Sequence, residues 1–524
     1  MPIPYQVDLL TPRQKLQVQL LIGVWAIAAI YFLIWWFRPS HFTDLGHFVF
    51  NSFIVLWNII LPAYYFYFLR RTKKPNPAIE IPAQWRIAIV ATRAPSESFE
   101  LVKKILLAMK AQDLKADVWL ADEDPTPAIY AWCKAENVFV STRKGIPAYH
   151  QAEWPRRTRC KEGNLAYFYD YYGYERYDFV AQMDADHIPV TSYLRNMIRP
   201  FVDPEIGYVS APSICDANAK NSWIARGRLY LESPWQGALQ AGCNNGYVSM
   251  CIGSHYAVRT KALKEAGGLG PELAEDHSTT LLLTAAGWKG VHSIDAEAHG
   301  DGPATFADGI TQEFQWARSL VMILLQTTPV YFGKIKTPRL KFQFLFGQLW
   351  YFGFSFAMLC AFSLPLLALA QGKPFANVSY LSFMLHLAAP ALSSYFVVTR
   401  IKKWGFLRPV NGKILSWEVV AFQLARWPWV LYAIFDALRS VFLNVKLDWK
   451  VTPKGKSKTF IAIRFFIPYA AIFCLSMLVI IVRWKQSQIE FFYLATLNAI
   501  CYLALSCAII TLHSRENGTI LRNG

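Results

Sequence analysis

Two aspartates one residue apart, Asp184 and Asp186, follow a short apolar run at 177–181. The run reads as a buried strand, and the end of such a strand is where an open α/β sheet collects ligand-binding groups. The two carboxylates can share a hard divalent cation, since Mg2+ typically takes one or two protein carboxylates plus substrate phosphates. Taken alone, the same pair is also what a solvated acidic turn looks like. Further constellations carry chemistry. Lys161-Glu162-Gly163-Asn164 precedes the pair, and Gly253-Ser254-His255 follows a run of small residues. Ala274-Glu275-Asp276 comes after a glycine-rich turn, and Gln312-Glu313-Phe314-Gln315-Trp316-Ala317-Arg318 lies beyond it. Far downstream stands Trp449-Lys450-Val451-Thr452-Pro453-Lys454-Gly455. Each has a plainer reading. Acids such as Glu275 and Asp276 suit the first turn of a helix, Trp316 suits a core, and Lys161 and Lys454 suit a surface.

The elements that must position these residues alternate in type. Residues 86–91, 117–121 and 137–141 read as short β-branched strands, the second ending in Asp122-Glu123-Asp124-Pro125. Residues 98–111 show helical periodicity, and 281–286 continue a helix after the acids. Strands alternating with helices predict a parallel sheet covered on both faces. No G-x-x-x-x-G-K-[ST] is present, so a P-loop nucleotidase is not supported. Residues 318–325 are apolar but short and are expected to lie in a membrane interface.

The chain has 524 residues, 54% of them hydrophobic and 17% charged. The apolar excess falls in blocks, at 18–37, 48–69, 344–369, 380–398, 460–482 and 491–512. Each is about long enough to cross a bilayer. Basic residues flank the blocks (Arg70, Arg71, Lys73 and Lys74, then Arg400, Lys402 and Lys403), and the net charge is +17. That bias is expected to place the flanked side, the N-terminus and the α/β part, in the cytosol of a plasma (inner) membrane protein. Nucleic acid fits less well, because the basic residues do not form one stripe. Residues 417–443 are apolar but hold Glu418, Arg426, Asp436 and Arg439. Charges deep in a spanning helix are expensive. Arg426, Asp436 and Arg439 are expected to share the polar face of an interfacial helix, which leaves six spans. The expected division is a transmembrane hairpin at 1–75, a cytosolic α/β domain at 84–330 and a membrane bundle at 331–524. Nine cysteines without a C-x-x-C pair predict reduced, buried thiols. No cleaved leader is expected, since one long apolar run follows another, and the tail after His513 is short for a regulatory domain.

In chain order the motifs are Asp122, Lys161/Gly163/Asn164, Asp184/Asp186, Gly253/Ser254, Glu275/Asp276, Gln312/Trp316 and Val451/Thr452/Lys454/Gly455. With them the chain resembles a membrane-integrated, processive family 2 glycosyltransferase of the cellulose, chitin, hyaluronan and curdlan synthase group. The resemblance covers about 85–330 and the downstream stretch, which corresponds to a gating loop. It implies a GT-A-type α/β domain inserted in an α-helical transmembrane bundle. It also implies an inverting transferase that polymerises a β-linked polysaccharide, a β-glucan from UDP-glucose by default, and moves it across the membrane. In that scheme Thr92 and Asp122 hold the uridine end. Asp184 and Asp186 hold Mg2+ (or Mn2+), which neutralises the diphosphate leaving group. Lys161 and Lys454 pair with pyrophosphate. Asp276 is the general base and Glu275 its structural or metal-side neighbour. Trp316 offers a face to the acceptor sugar, and Ser254, Gln312, Gln315, Arg318 and Thr452 are further substrate-side positions. The implied partners are a UDP-sugar donor, the growing polysaccharide and the lipid bilayer, with export or regulatory subunits left open. The family usually has Arg where this chain has Gln315. A neutral amide cannot clamp a diphosphate as a guanidinium does, so Arg318 or Lys454 is expected to supply the charge. Trp449 replaces the usual opening Phe of the gating loop. A non-processive transferase placing one sugar on a lipid is the alternative.

Overall fold

Four adjacent strands run parallel on one side of a seven-stranded sheet, and their ends place Thr92, Asp122 and Asp184. The order across the sheet is Lys289–His292, Ile206–Ser210, His255–Arg259, Phe179–Met183, Ile87–Arg93, Asp117–Asp122 and Phe139–Ser141. The structure is a computed structural model and describes residues 4–158, 160–443, 461–485 and 492–517. The expected strands and the helix Phe99–Lys110 are present. The sheet is mixed, however, and not parallel throughout. His255–Arg259 runs antiparallel to both Phe179–Met183 and Ile206–Ser210. That reversal brings the start of one strand to the edge where its neighbour ends. Period-two alternation divides the first strand between two cores. Ile87, Ile89 and Ala91 pack with Val102 and Leu106 on one face, and Ala88 and Val90 with Leu165 and Phe168 on the other.

Among the described residues, six helices are long and apolar enough to cross a membrane: Pro12–Trp36, Leu45–Leu69, Pro338–Gln371, Tyr380–Lys403, Ile463–Arg483 and Phe492–Glu516. The first two form a hairpin whose ends are joined by a small antiparallel sheet of Gln6–Asp8 with Lys73–Pro75. A Lys74–Asp295 ion pair of 2.9 Å ties it to the rest. Residues 318–325 are not a separate interfacial helix. They continue Phe306–Met322, which starts at a reciprocal cap between Thr305 and Asp308. Such a cap satisfies two backbone donors that the first turn leaves open.

Trp417–Leu443 is a single 27-residue helix and is not among the six. Its charges do not share one polar face as expected. Arg426 is buried and pairs with Glu313 at 2.7 Å. Asp436 pairs with Arg318 at 3.3 Å, and Glu418 with Arg226 at 3.0 Å. Arg439 is turned outward. Most of the charges therefore dock the helix onto Trp223–Pro234 and Phe306–Met322, where opposite charges meet them, instead of facing water. This predicts that the helix does not cross the membrane. Asn411→Cys and Ala462→Cys, each in a background lacking the nine native cysteines, should label from the same side of sealed vesicles. Labelling of position 462 from the opposite side would show that the helix spans.

Candidate active site

The parallel strands end at one edge, so Thr92, Asp122 and Asp184 gather there. Asp122 is fully buried, and Arg93 Nη1 donates to both its carboxylate oxygens at 3.0 Å. Burial raises the Asp122 carboxyl, against the pull of the Asp124 backbone N–H and of Arg93. Neighbouring Thr92 is 9% exposed. The antiparallel strand starts at the same edge. Register pairs His255 with Met183, and the Asp184 N–H donates to the Ser254 carbonyl at 2.8 Å. The Ser254 hydroxyl meets His255 Nδ1 at 2.9 Å. Gly253 and Ser254 therefore lie beside the aspartate pair.

The K-E-G-N residues each have a separate job at the start of the helix Lys161–Phe168. Glu162 accepts from the Arg156 and Arg157 backbone N–H groups. A Cβ on Gly163 would collide with the Arg157 carbonyl and with Arg143. Asn164 Nδ2 donates to the Ala121 carbonyl at 2.9 Å. These ties aim Lys161 inward. Its ammonium donates to the Gly253 carbonyl at 2.7 Å, pairs with Asp184 at 2.7 Å and stands 3.9 Å from Glu275. At 19% exposure it is not an ordinary surface lysine.

Glu275 and Asp276 open the helix Glu275–Ala285, as expected. The Tyr256 hydroxyl donates to Glu275 at 2.9 Å. Burial pushes the Glu275 carboxyl up to about 7, with Lys161 pulling against it and Asp276 adding to the push. Burial also raises Asp276, opposed by the backbone N–H groups of His277 and Gly253. A Cβ on Gly253 would come within 3.2 Å of Asp276 Oδ2, so the close approach suits glycine. Asp186 pairs with His187 Nδ1 at 2.9 Å. Burial by itself would lower this imidazole, but the Asp186 carboxylate, with Cys215 behind it, raises it to about 10.

The helix Phe306–Met322 brings Gln312 and Trp316 to a cation that no motif marked. Arg228, on the helix Trp223–Pro234, lies 4.3 Å over the Trp316 ring. It donates to Gln312 Oε1 at 3.1 Å and pairs with Glu232 at 2.8 Å. Its charge also reaches the buried Cys215 thiol, which touches His187. Burial would raise that thiol, but Arg228 and His187 lower it. Gln315 is 8% exposed. Arg318 is turned to Asp436, away from the role expected of it. Thr452 and Lys454 lie outside the described residues. Among the described residues no group of three or more His, Cys, Asp or Glu gathers to hold a metal. Two aspartates alone fit a hard cation that completes its shell from substrate oxygens.

Residues 179–398 match the family model described as Glycosyl transferase family group 2. The cellulose synthase catalytic subunit of Pseudomonas fluorescens is 23% identical over 65% of this chain and 45% of that protein. That of Xanthomonas axonopodis pv. citri is 24% identical over 49% of this chain and 35% of that protein. The chain thus spans less than half the length of these relatives. A mannosyltransferase from Pyrobaculum calidifontis, solved with GDP-Man and Mn2+, has a similar fold. The TM-score is 0.50 and the identity 17%, covering 74% of this chain and 99% of that one.

One contact ties the acidic turn to a membrane helix. His277 Nε2 meets the Gln348 side-chain amide at 3.1 Å, and its ring packs edge-on against Phe344. The amide donates, so the ring nitrogen must accept and stay unprotonated. Burial lowers His277 to about 4, from 6.5. A folded value below the unfolded one gives stability that is present above 6.5 and lost as pH falls from there towards 4. The melting temperature of the wild type should therefore drop across that window more than that of His277→Gln. Parallel curves for the two proteins would count against this role.

Proposed function

We propose that this chain, a family 2 glycosyltransferase of GT-A fold, polymerises a β-linked polysaccharide from a UDP-sugar, UDP-glucose first, and passes it across the membrane. The observation that carries this is the meeting of Asp184, the Gly253 carbonyl and Glu275 around Lys161, with Asp276 beside Gly253. Cellulose synthase relatives and six candidate spans support the polymer and the crossing. An inverting transfer is one displacement. The acceptor hydroxyl oxygen bonds to the anomeric carbon, the bond from that carbon to the diphosphate oxygen breaks, and UDP leaves. Asp276 takes the acceptor's proton, and the burial that raises its carboxyl favours this. Mg2+ or Mn2+ held by Asp184 and Asp186 would neutralise charge on the leaving diphosphate. Thr92 and Asp122 face the nucleoside end, with Arg93 keeping Asp122 in place. Lys161 orients Asp184 and Glu275.

Arg228 supplies the positive charge that Gln315 does not. A guanidinium stacked on Trp316 and hydrogen-bonded to Gln312 is where this helix can offer a fork to phosphate oxygens. It also covers one face of Trp316. Arg228→Gln should weaken UDP binding ~10-fold, the loss of about one charged hydrogen bond. Arg228→Lys should restore part of it. Wild-type affinity in Arg228→Gln would remove this role.

The activity itself is tested in sealed vesicles fed labelled UDP-sugars one at a time. Label should enter high-mass glycan, cut by a linkage-specific endoglycanase only on the far side. Chelation should stop the reaction. Asp276→Asn should lower turnover by ~10²–10⁴-fold with UDP affinity within a few-fold of wild type. Label extracting into organic solvent as a single-sugar lipid would replace the polymer reading with that of a lipid glycosyltransferase.

A further inference from the structure

Away from the acids and Trp316, a cavity of ≈ 540 Å³ opens where the hairpin meets the catalytic part. Lys15, Arg70, Arg71 and Lys73 line it, with Asp8 as the one acid and Asn245 as a polar neighbour. Lys15 lies in the first turn of Pro12–Trp36, and Arg70 caps Leu45–Leu69. Both helices are candidate spans, and Lys15 and Arg70 stand at their ends. Two features make it more than a run of flanking charge. Arg71 is preorganised: its Nη1 donates to the Tyr67 hydroxyl at 2.8 Å and its guanidinium lies 5.0 Å over that ring. Tyr67 is hydrogen-bonded to Tyr247, and Arg339 covers the Tyr247 ring at 5.3 Å. Yet the buried Arg71 Nε has no hydrogen-bond partner among the described residues. A buried donor left unmet is unfavourable, and an anion in the cavity would meet it.

Asp8 offsets little of this charge, since its contact with Lys15 is 3.6 Å and exposed. Beside Lys15 an apolar stripe runs along the outer face of the first helix, with Leu16, Leu20, Val24 and Ile27 between 56% and 71% exposed. A charged cavity at one end of an apolar stripe matches a phosphate headgroup with acyl chains below it.

We infer that this cavity binds a phosphate-bearing anion, at the position of an anionic phospholipid's headgroup. The site also touches the catalytic part. Asn245 adjoins Asn244, whose side chain donates to the Lys73 carbonyl at 2.7 Å and to the His292 carbonyl at 2.9 Å. The occupant therefore braces the hairpin against the sheet, independently of the reaction.

The test reads the unfolding midpoint of the full chain in neutral detergent, with no activity assay. Phosphatidylglycerol should raise the midpoint saturably, and phosphatidylcholine should not. Inorganic phosphate alone distinguishes the sources: a rise equal to that from phosphatidylglycerol would assign the site to a free anion and overturn the lipid part. Arg70→Gln with Arg71→Gln should weaken the phosphatidylglycerol response ~10-fold or more, each charge at a membrane surface being worth a several-fold change. Lys15→Gln with Lys73→Gln, which spares the Tyr67 contact, should do likewise if the first pair misfolds. Lys402→Gln with Lys403→Gln, on another helix, should respond as the wild type does. An equal loss in that control, or no response of the wild type to either anion, overturns the site.

Discussion

Carboxylates gathered at one sheet edge repel one another, and the fold depends on a cation buried beside each group of them. Lys161 stands between Asp184 and Glu275, Arg93 grips Asp122, and His187 holds Asp186. Farther out, Arg228 meets Glu232 and Arg426 meets Glu313. Such pairs are weak evidence for net stability, because removing charge from water is costly. Their effect is on specificity of arrangement. Removing one partner leaves an uncompensated buried charge, at a cost of about 3–5 kcal/mol.

The same constraint explains the small residues among the motifs. Gly163 lets the chain pass Arg143 and the Arg157 carbonyl, so that Lys161 can reach the edge. Gly253 leaves room for Asp276. Arg143 itself is fully buried and serves the same approach. Its two terminal nitrogens take the carbonyls of Tyr149, Arg157 and Cys160, and it is paired to Glu123, beside Asp122. The loop before Lys161 is thus wound around one guanidinium.

Polar contacts also join the α/β part to the helices that follow it. The helix Phe306–Met322 carries Trp316 on one side and sends Glu313 and Arg318 to Trp417–Leu443 on the other. His277 connects the acidic turn to Gln348 on a candidate span. Movement of that candidate span would be felt one residue from the proposed base, Asp276.

The sequence by itself determined four of the strands, the two acidic elements, the six apolar blocks and a family resemblance, because these rest on local period, strand ends and short spacings. Strand Ile87–Arg93 and helix Glu275–Ala285 needed no partner to be legible. Only the tertiary structure decided what depends on distant partners. The reversed direction of His255–Arg259 follows from which neighbours it pairs with. The charges of 417–443 looked like a polar face until Glu313 and Arg318, over a hundred positions away, were brought against them. Arg228 carries no motif, and 84 residues separate it from the glutamine it bonds. A side chain's charge is written in the sequence, but the group that answers it is chosen by the fold.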